Sequence, residues 1–164
     1  MAKRKLTISM LVCGRDTTIR CLDSLVPILN GMDAELILVD TGCPAELREQ
    51  LKKYTDQILQ FTWCDDFSAA RNVGIKAAHG EWFLYIDDDE WFENPEVLIR
   101  FFTSGQYKKY GCVNYIQRNF YDADFVHYDD FWASRMIKLE ADTCFHSKIH
   151  EYMVNEMTED GDVY

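Results

Sequence analysis

A run of four carboxylates directly follows an apolar stretch of the chain. Asp87, Asp88, Asp89 and Glu90 come after Trp82–Ile86, whose aromatic and branched side chains predict a buried strand. Because successive strand residues point to opposite sides, we expect Asp87 and Asp89 to share a direction and Asp88 to point away. Two carboxylates that face the same way repel each other unless a cation lies between them. Ligands of open α/β sheets bind at the carboxyl ends of the strands, so the sequence predicts a cation site here, with a merely solvated turn as the alternative.

Carboxylate oxygens are the ligands that magnesium and manganese prefer. Besides Asp87 and Asp89, only Glu90 and His150 are candidate ligands, which is too few for a complete protein cage. Water and substrate phosphates usually complete such a half-built octahedron. The acidic turn therefore predicts Mn²⁺ or Mg²⁺ held together with a phosphate-bearing substrate, most simply a nucleotide.

Two further residues suggest contact with a nucleotide. Asp40 ends an apolar strand and precedes Thr41-Gly42, a position from which a carboxylate commonly accepts hydrogen bonds from ribose or base. The alternative for Asp40 is an acidic turn that only starts a helix. Arg71 lies early in a predicted helix, where the macrodipole disfavours a cation, so an anionic partner is indicated. That partner is either the acidic turn or a diphosphate, and a surface pair with Asp65 or Asp66 is the alternative.

The elements that must position these residues alternate regularly as far as Gly105. The pattern is typical of an α/β fold with a doubly wound, mostly parallel sheet and helices on both faces. Strands are predicted at Leu6–Cys13, Glu35–Val39, Gln57–Thr62 and Glu81–Ile86. Helices are predicted from Asp16 or Thr17 to about Leu29, from Pro44, over Ser68–Ala78 and over Pro95–Phe102. Ser68 is the expected N-cap of the third helix, and Asn30-Gly31 is expected to close the first.

The character of the sequence changes after Gly111. Strands are expected at Cys112–Tyr121 and Ala133–Leu139, with a loop or short hairpin over Asp122–Trp132. Lys148–Val154 predicts another short element, and Asn155–Tyr164 a polar tail.

Composition narrows the class of protein. The chain has 164 residues, of which 48% are hydrophobic, and this length favours one domain. Seventeen Lys and Arg against 28 Asp and Glu give a net charge of −11, which argues against nucleic acid as a partner.

No apolar run approaches the ~20 residues of a membrane span and no signal peptide is recognisable, so we expect a cytoplasmic protein. The basic start Met1–Lys5 leaves peripheral contact with an anionic membrane open. Six cysteines without a Cys-x-x-Cys pair favour reduced thiols over disulfides or a zinc site.

Taken in order, these motifs resemble the bacterial family-2 glycosyltransferases with the GT-A fold. The resemblance rests on Asp40-Thr41-Gly42 and on the segment DDFSAARNVGIKAAHGEWFLYIDDDEWF, and it covers about Thr7–Asn94. Members of that family share, in this order, a strand-ending Asp, an Ala-Arg-Asn helix start, a Gly before an apolar strand and an Asp-x-Asp turn. Lys148–Glu151 is similar to an Ile/Val-His-Glu segment of lipopolysaccharide-core-type and peptide-modifying members.

The resemblance implies a metal-dependent inverting glycosyltransferase. Its donor would be a nucleoside-diphosphate sugar, most simply a UDP-sugar, and its acceptor a cell-envelope glycan, a lipid or a peptide. Asp89, with Asp87, would hold the metal, and Glu151 or His150 would face the acceptor as general base. The implied nucleotide-sugar contacts are Cys13, Gly14, Arg15, Asp40, Asp66, Arg71, Asp87 and Asp88. Residues 1–164 would form a single domain, with 1–110 as the nucleotide-sugar half and 111–164 as the start of an incomplete acceptor side.

Several alternatives stay open from the sequence alone. A nucleotidyltransferase of similar architecture usually has a glycine-rich loop after the first strand, and this chain has only Cys13–Asp16 there. A non-catalytic module would bind the donor without turnover. Asp129-Asp130 competes with Glu151 as the base, and His150-Glu151 is also compatible with an exposed strand end.

Overall fold

The computed structural model describes residues 4–154, so the tail expected at Asn155–Tyr164 lies outside the described part. A six-stranded sheet in the order β3-β2-β1-β4-β6-β5 forms the centre, and β7 and β8 pair separately. The strands are β1 Arg4–Val12, β2 Ala34–Asp40, β3 Ile58–Gln60, β4 Gly80–Ile86, β5 Cys112–Phe120, β6 Tyr128–Lys138, β7 Cys144–His146 and β8 Tyr152–Val154. The helices are α1 Thr18–Gly31, α2 Ala45–Leu51, α3 Phe67–Ala77 and α4 Pro95–Thr103, with a 3₁₀ turn at Gln106–Lys109.

The predicted fold class is confirmed. Strands β1 to β4 pair in parallel, while β6 runs antiparallel to both β4 and β5. The order of the strands reverses between β1 and β4, which is where open α/β sheets bind their ligands. The register places Val12 beside Asp40 and Met10 beside Ile86, so the loops after β1, β2 and β4 meet at one edge.

Helices cover both faces of the sheet, which explains the continuous apolar strands. Within β4, Trp82 and Leu84 belong to one core together with α1 and α4, whereas Phe83 and Tyr85 belong to a second core near α3 and β7. Helix α3 lies very close to β1, because a Cβ on Gly74 would be 2.3 Å from Ser9 Oγ. This close approach packs α3 against β1, and Arg71 of the same helix reaches Asp87 at the carboxyl edge of the sheet.

Some local expectations were wrong. Asp66, not Ser68, caps α3 by accepting a hydrogen bond from the Ala69 N–H (2.9 Å), since Asp66 is the last residue with extended backbone. Thr17 precedes α1 without a capping bond, because its hydroxyl donates to the Asp88 carbonyl instead (2.8 Å). The helix does end at Gly31, as the sequence predicted, although Gly31 is its last helical residue and Met32 is the C-cap.

The hairpin of β5 and β6 is longer than the sequence predicted. The expected loop over Asp122–Trp132 ends by Tyr128, where β6 already pairs with Phe120. The strand was missed because Phe131 and Trp132 are both exposed, so no inward-outward alternation marks it. Lys148–Val154 yields only β8, whose partner β7 was not predicted. Among the helices of residues 4–154, none combines the length and the apolarity that crossing a membrane requires.

Candidate active site at the carboxyl edge of the sheet

The acidic segment after β4 is a tight turn. The strand ends at Ile86, and the Glu90 N–H donates to the Asp87 carbonyl (3.0 Å). The regular strand therefore ends before the turn, but Asp87 and Asp89 both line one cavity whereas Asp88 does not, which agrees with the expected common direction. Asp88 and Asp89 share one arginine, while Asp87 meets two others.

Asp87 is held between two guanidinium groups. Arg71 Nη2 lies 2.5 Å from Asp87 Oδ1, and Arg135 Nη2 lies 3.2 Å from Oδ2. Burial alone would raise the pKa of Asp87, but the charges of Arg71 and Arg135 outweigh it and lower the pKa. Asp87 is consequently an ionised anchor with both oxygens occupied.

Arg71 connects the acidic turn to the segment before β8. Its side chain is only 5% exposed, and its Nε donates to Glu151 Oε1 (2.6 Å) while Nη2 contacts Asp87. The guanidinium also lies over the ring of Tyr85, 4.6 Å from its centroid. Of the anionic partners considered for Arg71, the acidic turn is therefore the one observed, together with Glu151, and the surface pair with Asp65 or Asp66 is not.

Arg135 is a site residue that sequence reasoning missed. It donates to Glu90 Oε1 (2.5 Å) and Gln117 Oε1 (3.0 Å) in addition to Asp87. The register of β5 and β6 shifts between Val113 and Asn114, which leaves Arg135 out of the regular pairing. Such a bulge re-aims a side chain, here toward the turn. The available signal was an arginine directly before the apolar pair Met136-Ile137 in a predicted strand.

Glu90 lies partly buried beside these groups. Burial raises the pKa of Glu90 to about 7, with the charge of Arg135 acting in the opposite direction. Its Oε2 also accepts the Asp87 N–H (3.2 Å), so Glu90 closes the turn from inside.

The loop after β1 contacts the other half of the turn. Arg15 Nε lies 3.1 Å from Asp88 Oδ1, and Arg15 Nη1 lies 2.5 Å from Asp89 Oδ2. Asp88 is buried and also accepts the Thr18 hydroxyl (3.2 Å), and burial raises its pKa. Cys13 approaches the same carboxylate, with Sγ 3.8 Å from Asp88 Oδ2. Asp88 thus fixes the turn to the start of α1, whereas Asp89 and Arg15 remain exposed.

Asp40 faces inward in the neighbouring loop. Its carboxylate, buried in the structure, accepts the N–H groups of Gly42 (2.9 Å) and Cys43 (2.7 Å), and it also accepts Arg48 Nε (2.6 Å) and Gln60 Nε2 (2.9 Å). Burial alone would raise the pKa of Asp40, but these hydrogen bonds hold it well below its usual range. A direct contact between Asp40 and a base would therefore require one of these bonds to be exchanged.

The loops after β1 and β2 pack against each other. Gly14 has a φ of +109°, and a Cβ there would be 2.8 Å from Pro44 Cδ. The predicted nucleotide residues Cys13, Gly14 and Arg15 therefore do lie between the Asp40 loop and the acidic turn.

The other residues predicted for the site come from the start of α3, the segment before β8 and the β5–β6 hairpin. Asp66 is engaged in capping α3, and the adjacent Phe67 N–H donates to the Lys148 carbonyl (3.0 Å). Glu151 is partly buried against Arg71, whereas His150 is exposed with a φ of 55°. Asp130 pairs with Arg118, and Asp129 accepts the Tyr121 hydroxyl. The two competing bases are thus bonded within the hairpin, and Glu151 is the candidate that joins the acidic turn.

We expect Arg71→Met to lower the free energy of unfolding by about 3–5 kcal/mol, because breaking a buried ion pair leaves an uncompensated charge. Methionine keeps much of the apolar stem, so the loss would come from Asp87 and Glu151 and not from a cavity. Urea unfolding would measure it.

The matched control is Arg118→Met, which breaks an exposed pair with Asp130 and should change stability little. If Arg71→Met were as mild as Arg118→Met, the ion network would not be what holds the turn.

The residues at the turn fit a metal ion that takes most of its ligands from water and substrate. Among residues 4–154, no group of three or more His, Cys, Asp or Glu side chains could hold a metal. Asp87 has both oxygens occupied by arginine, whereas the Asp89 side chain is 43% exposed and pairs with the exposed Arg15. Asp89 is therefore the carboxylate available to Mn²⁺ or Mg²⁺, which commonly uses one or two carboxylates plus phosphate oxygens.

Residues 8–118 match the model of the family described as Glycosyl transferase family 2. The chain is 28% identical over 157 residues to the SPbeta prophage-derived glycosyltransferase SunS of Bacillus subtilis, covering 92% of this chain and 35% of SunS. It is also 41% identical over 71 residues to a TPR repeat-containing protein of Synechococcus elongatus, covering 43% of this chain and 17% of that protein. The chain thus spans about a third or less of the length of these relatives.

Solved structures share the fold. TarS of S. aureus in complex with UDP-GlcNAc superposes with a TM-score of 0.52 at 20% identity, over 66% of this chain and 33% of that one. The mannosyltransferase PcManGT of Pyrobaculum calidifontis, in complex with GDP-Man and Mn²⁺, gives a TM-score of 0.55 at 16% identity, over 72% and 37% of the two chains.

Proposed function

Because the chain belongs to glycosyl transferase family 2, we propose that it transfers a sugar from a nucleoside-diphosphate sugar to an acceptor hydroxyl, with a divalent metal and with inversion. The observation that carries the proposal is the convergence on the acidic turn of three arginines, one each from the loop after β1, from α3 and from β6. Arg15, Arg71 and Arg135 all pair with its carboxylates at the edge where the strand order reverses. Proteins of the same fold bind UDP-GlcNAc, or GDP-Man with Mn²⁺, which supports this donor class.

The nucleotide would lie over the loops after β1 and β2, which pack against each other. Asp40 orders the backbone of Gly42 and Cys43 through two hydrogen bonds, which preorganises that part of the surface for the base or ribose. Cys13 and Gly14 form the adjoining part of the same surface. Asp66 at the start of α3 would lie beside the nucleotide.

Asp89 would hold the metal. A bound Mn²⁺ or Mg²⁺ neutralises charge on the departing diphosphate as a Lewis acid. Arg15 is exposed and pairs with Asp89, so on donor binding its guanidinium is free to turn to a phosphate oxygen, which it suits geometrically. Asp88 keeps the turn fixed while this exchange occurs.

Glu151 would act as the general base. It would remove the proton from the acceptor hydroxyl as that oxygen attacks the sugar carbon from the face opposite the diphosphate. Arg71 orients Glu151 through Nε and fixes it relative to Asp87. His150, exposed in the adjacent position, is the other candidate.

The first experiment is a calorimetric titration of UDP into the protein with and without Mn²⁺. We expect UDP binding to strengthen markedly with the metal, because Asp89 and the diphosphate oxygens would both be ligands of the same metal ion. GDP and CDP, titrated in the same way, identify the preferred base.

Uridine, which lacks the diphosphate, is the control ligand, and its binding should be indifferent to Mn²⁺. If none of the three diphosphates bound under either condition, the proposed donor class would be abandoned.

A further inference from the structure

A cavity of about 1050 Å³ extends from the acidic turn between α4 and β5. Asp87, Asp89 and Glu90 contribute to its wall, so a ligand inside it would be next to the proposed metal and donor sugar. Aromatic residues form part of the lining, among them Trp91 and Phe120, whose rings are nearly parallel and 6.4 Å apart at their centroids. Sites for small ligands typically combine such apolar walls with a few well-placed polar groups.

Asn114 supplies a polar group that the protein itself leaves without a partner. Within the described part of the chain, its Oδ1 is the one buried side-chain polar atom that makes no hydrogen bond. Asn114 lines the cavity next to the β5 bulge. A buried acceptor without a donor costs free energy, about 1–3 kcal/mol in typical proteins. A ligand hydroxyl that donates to this oxygen would recover that cost on binding.

The charges around the cavity restrict the ligand. Besides Asp87 and Glu90, which Arg135 pairs, the lining includes the carboxylates of Asp89, Glu93 and Asp122. Its arginines are Arg100 and Arg118, and Arg118 is already paired with Asp130 on both nitrogens that face it. The excess of negative charge disfavours an acidic or phosphorylated ligand.

We infer that this cavity is the acceptor subsite and that it binds a neutral carbohydrate, one of whose hydroxyl groups donates to Asn114 Oδ1. The inference rests on the proposed function, because it identifies the bound carbohydrate as the acceptor of the transferred sugar. Apolar cavity walls suit the C–H face of a pyranose ring, and an amide oxygen suits its hydroxyl groups. Gln117 and Asn119, also in the lining, offer further amide groups of the same kind.

Saturation-transfer NMR on the full chain tests this without donor or metal. The probes are glucose, galactose, N-acetylglucosamine and lactose, with glucuronate as the acidic counterpart of glucose. We expect at least one neutral sugar to bind and glucuronate to bind more weakly. Asn114→Leu should weaken sugar binding at least about fivefold, the lower end expected for losing a buried hydrogen bond.

The same variant separates a binding role from a structural one. Because leucine replaces an unpaired polar group, Asn114→Leu should melt at the same or a higher temperature than the parent. Asn30→Leu, at the exposed end of α1, is the matched control and should leave sugar binding unchanged.

The inference would be overturned by a destabilised Asn114→Leu that still binds sugar, by equal binding of glucuronate, or by no sugar binding at all. Binding of a peptide or lipid acceptor in place of all four sugars would overturn it too. UDP titration in parallel tests the proposed function independently, because Asn114 is not among the residues proposed to bind the donor or the metal.

Discussion

Asp89→Asn is expected to remove the Mn²⁺-dependent part of UDP binding and to lower turnover at least about a hundredfold, since a metal at the leaving group contributes several kcal/mol. Asparagine keeps the size and one oxygen of the side chain but loses its charge. The fold should survive, because Asp89 is exposed and its described charged partner is the exposed Arg15. Calorimetry with and without Mn²⁺ measures the loss directly.

Glu93→Gln is the matched control for Asp89→Asn. Glu93 is an exposed carboxylate that lines the same cavity a few residues further on. Its neutralisation changes the local charge by the same amount, so a general electrostatic effect would appear in both variants. If the strengthening of UDP binding by Mn²⁺ persisted in Asp89→Asn, the assignment of the metal to Asp89 would have to be given up.

Glu151→Gln is expected to lower turnover by about 10²–10⁴-fold while leaving UDP affinity unchanged, which is the range attributed to a positioned general base. Glutamine still offers an oxygen to Arg71 Nε, so the connection to the acidic turn is kept. The measurements are release of UDP from a UDP-sugar with a neutral sugar as acceptor, and calorimetry for the donor. Splitting the effect in this way distinguishes chemistry from donor positioning.

His150→Ala decides between the two candidate bases. His150 is exposed, and its removal should cost little stability, which thermal melting would verify. Should His150→Ala abolish turnover while Glu151→Gln left it intact, the roles would be exchanged. If Glu151→Gln lowered the melting temperature as well as turnover, Glu151 would instead serve only to neutralise Arg71.

The four carboxylates of the acidic turn differ in how firmly they are held. Two of them, Asp87 and Glu90, are fixed by Arg71 and Arg135 from α3 and β6, while Asp88 is fixed to the start of α1. Of the four, Asp89 is the carboxylate whose partner, Arg15, is itself an exposed side chain. This division combines three anchored carboxylates with one exposed carboxylate in a short segment, which is the arrangement that the proposed metal site would require.

Much of this was determined by the sequence alone. The apolar runs ending in Asp40 and Asp87 fixed both the parallel α/β fold and the edge at which the carboxylates would meet, because strand periodicity and crossover handedness leave few other arrangements. The ordered motifs between Asp40 and Asp89 also indicated the family that the comparisons confirm.

Other features were decided only by the tertiary structure. Of the two arginines that contact Asp87, one lies 16 positions before it and the other 48 positions after it, and no local pattern encodes which arginine reaches it. Arg135 depends on a bulge in the pairing of β5 and β6, which is a property of two strands together. The inward turn of Asp40 likewise depends on Gln60 from the neighbouring strand. Periodicity determines which elements form, whereas the choice among several possible ion-pair partners depends on packing between elements distant in sequence.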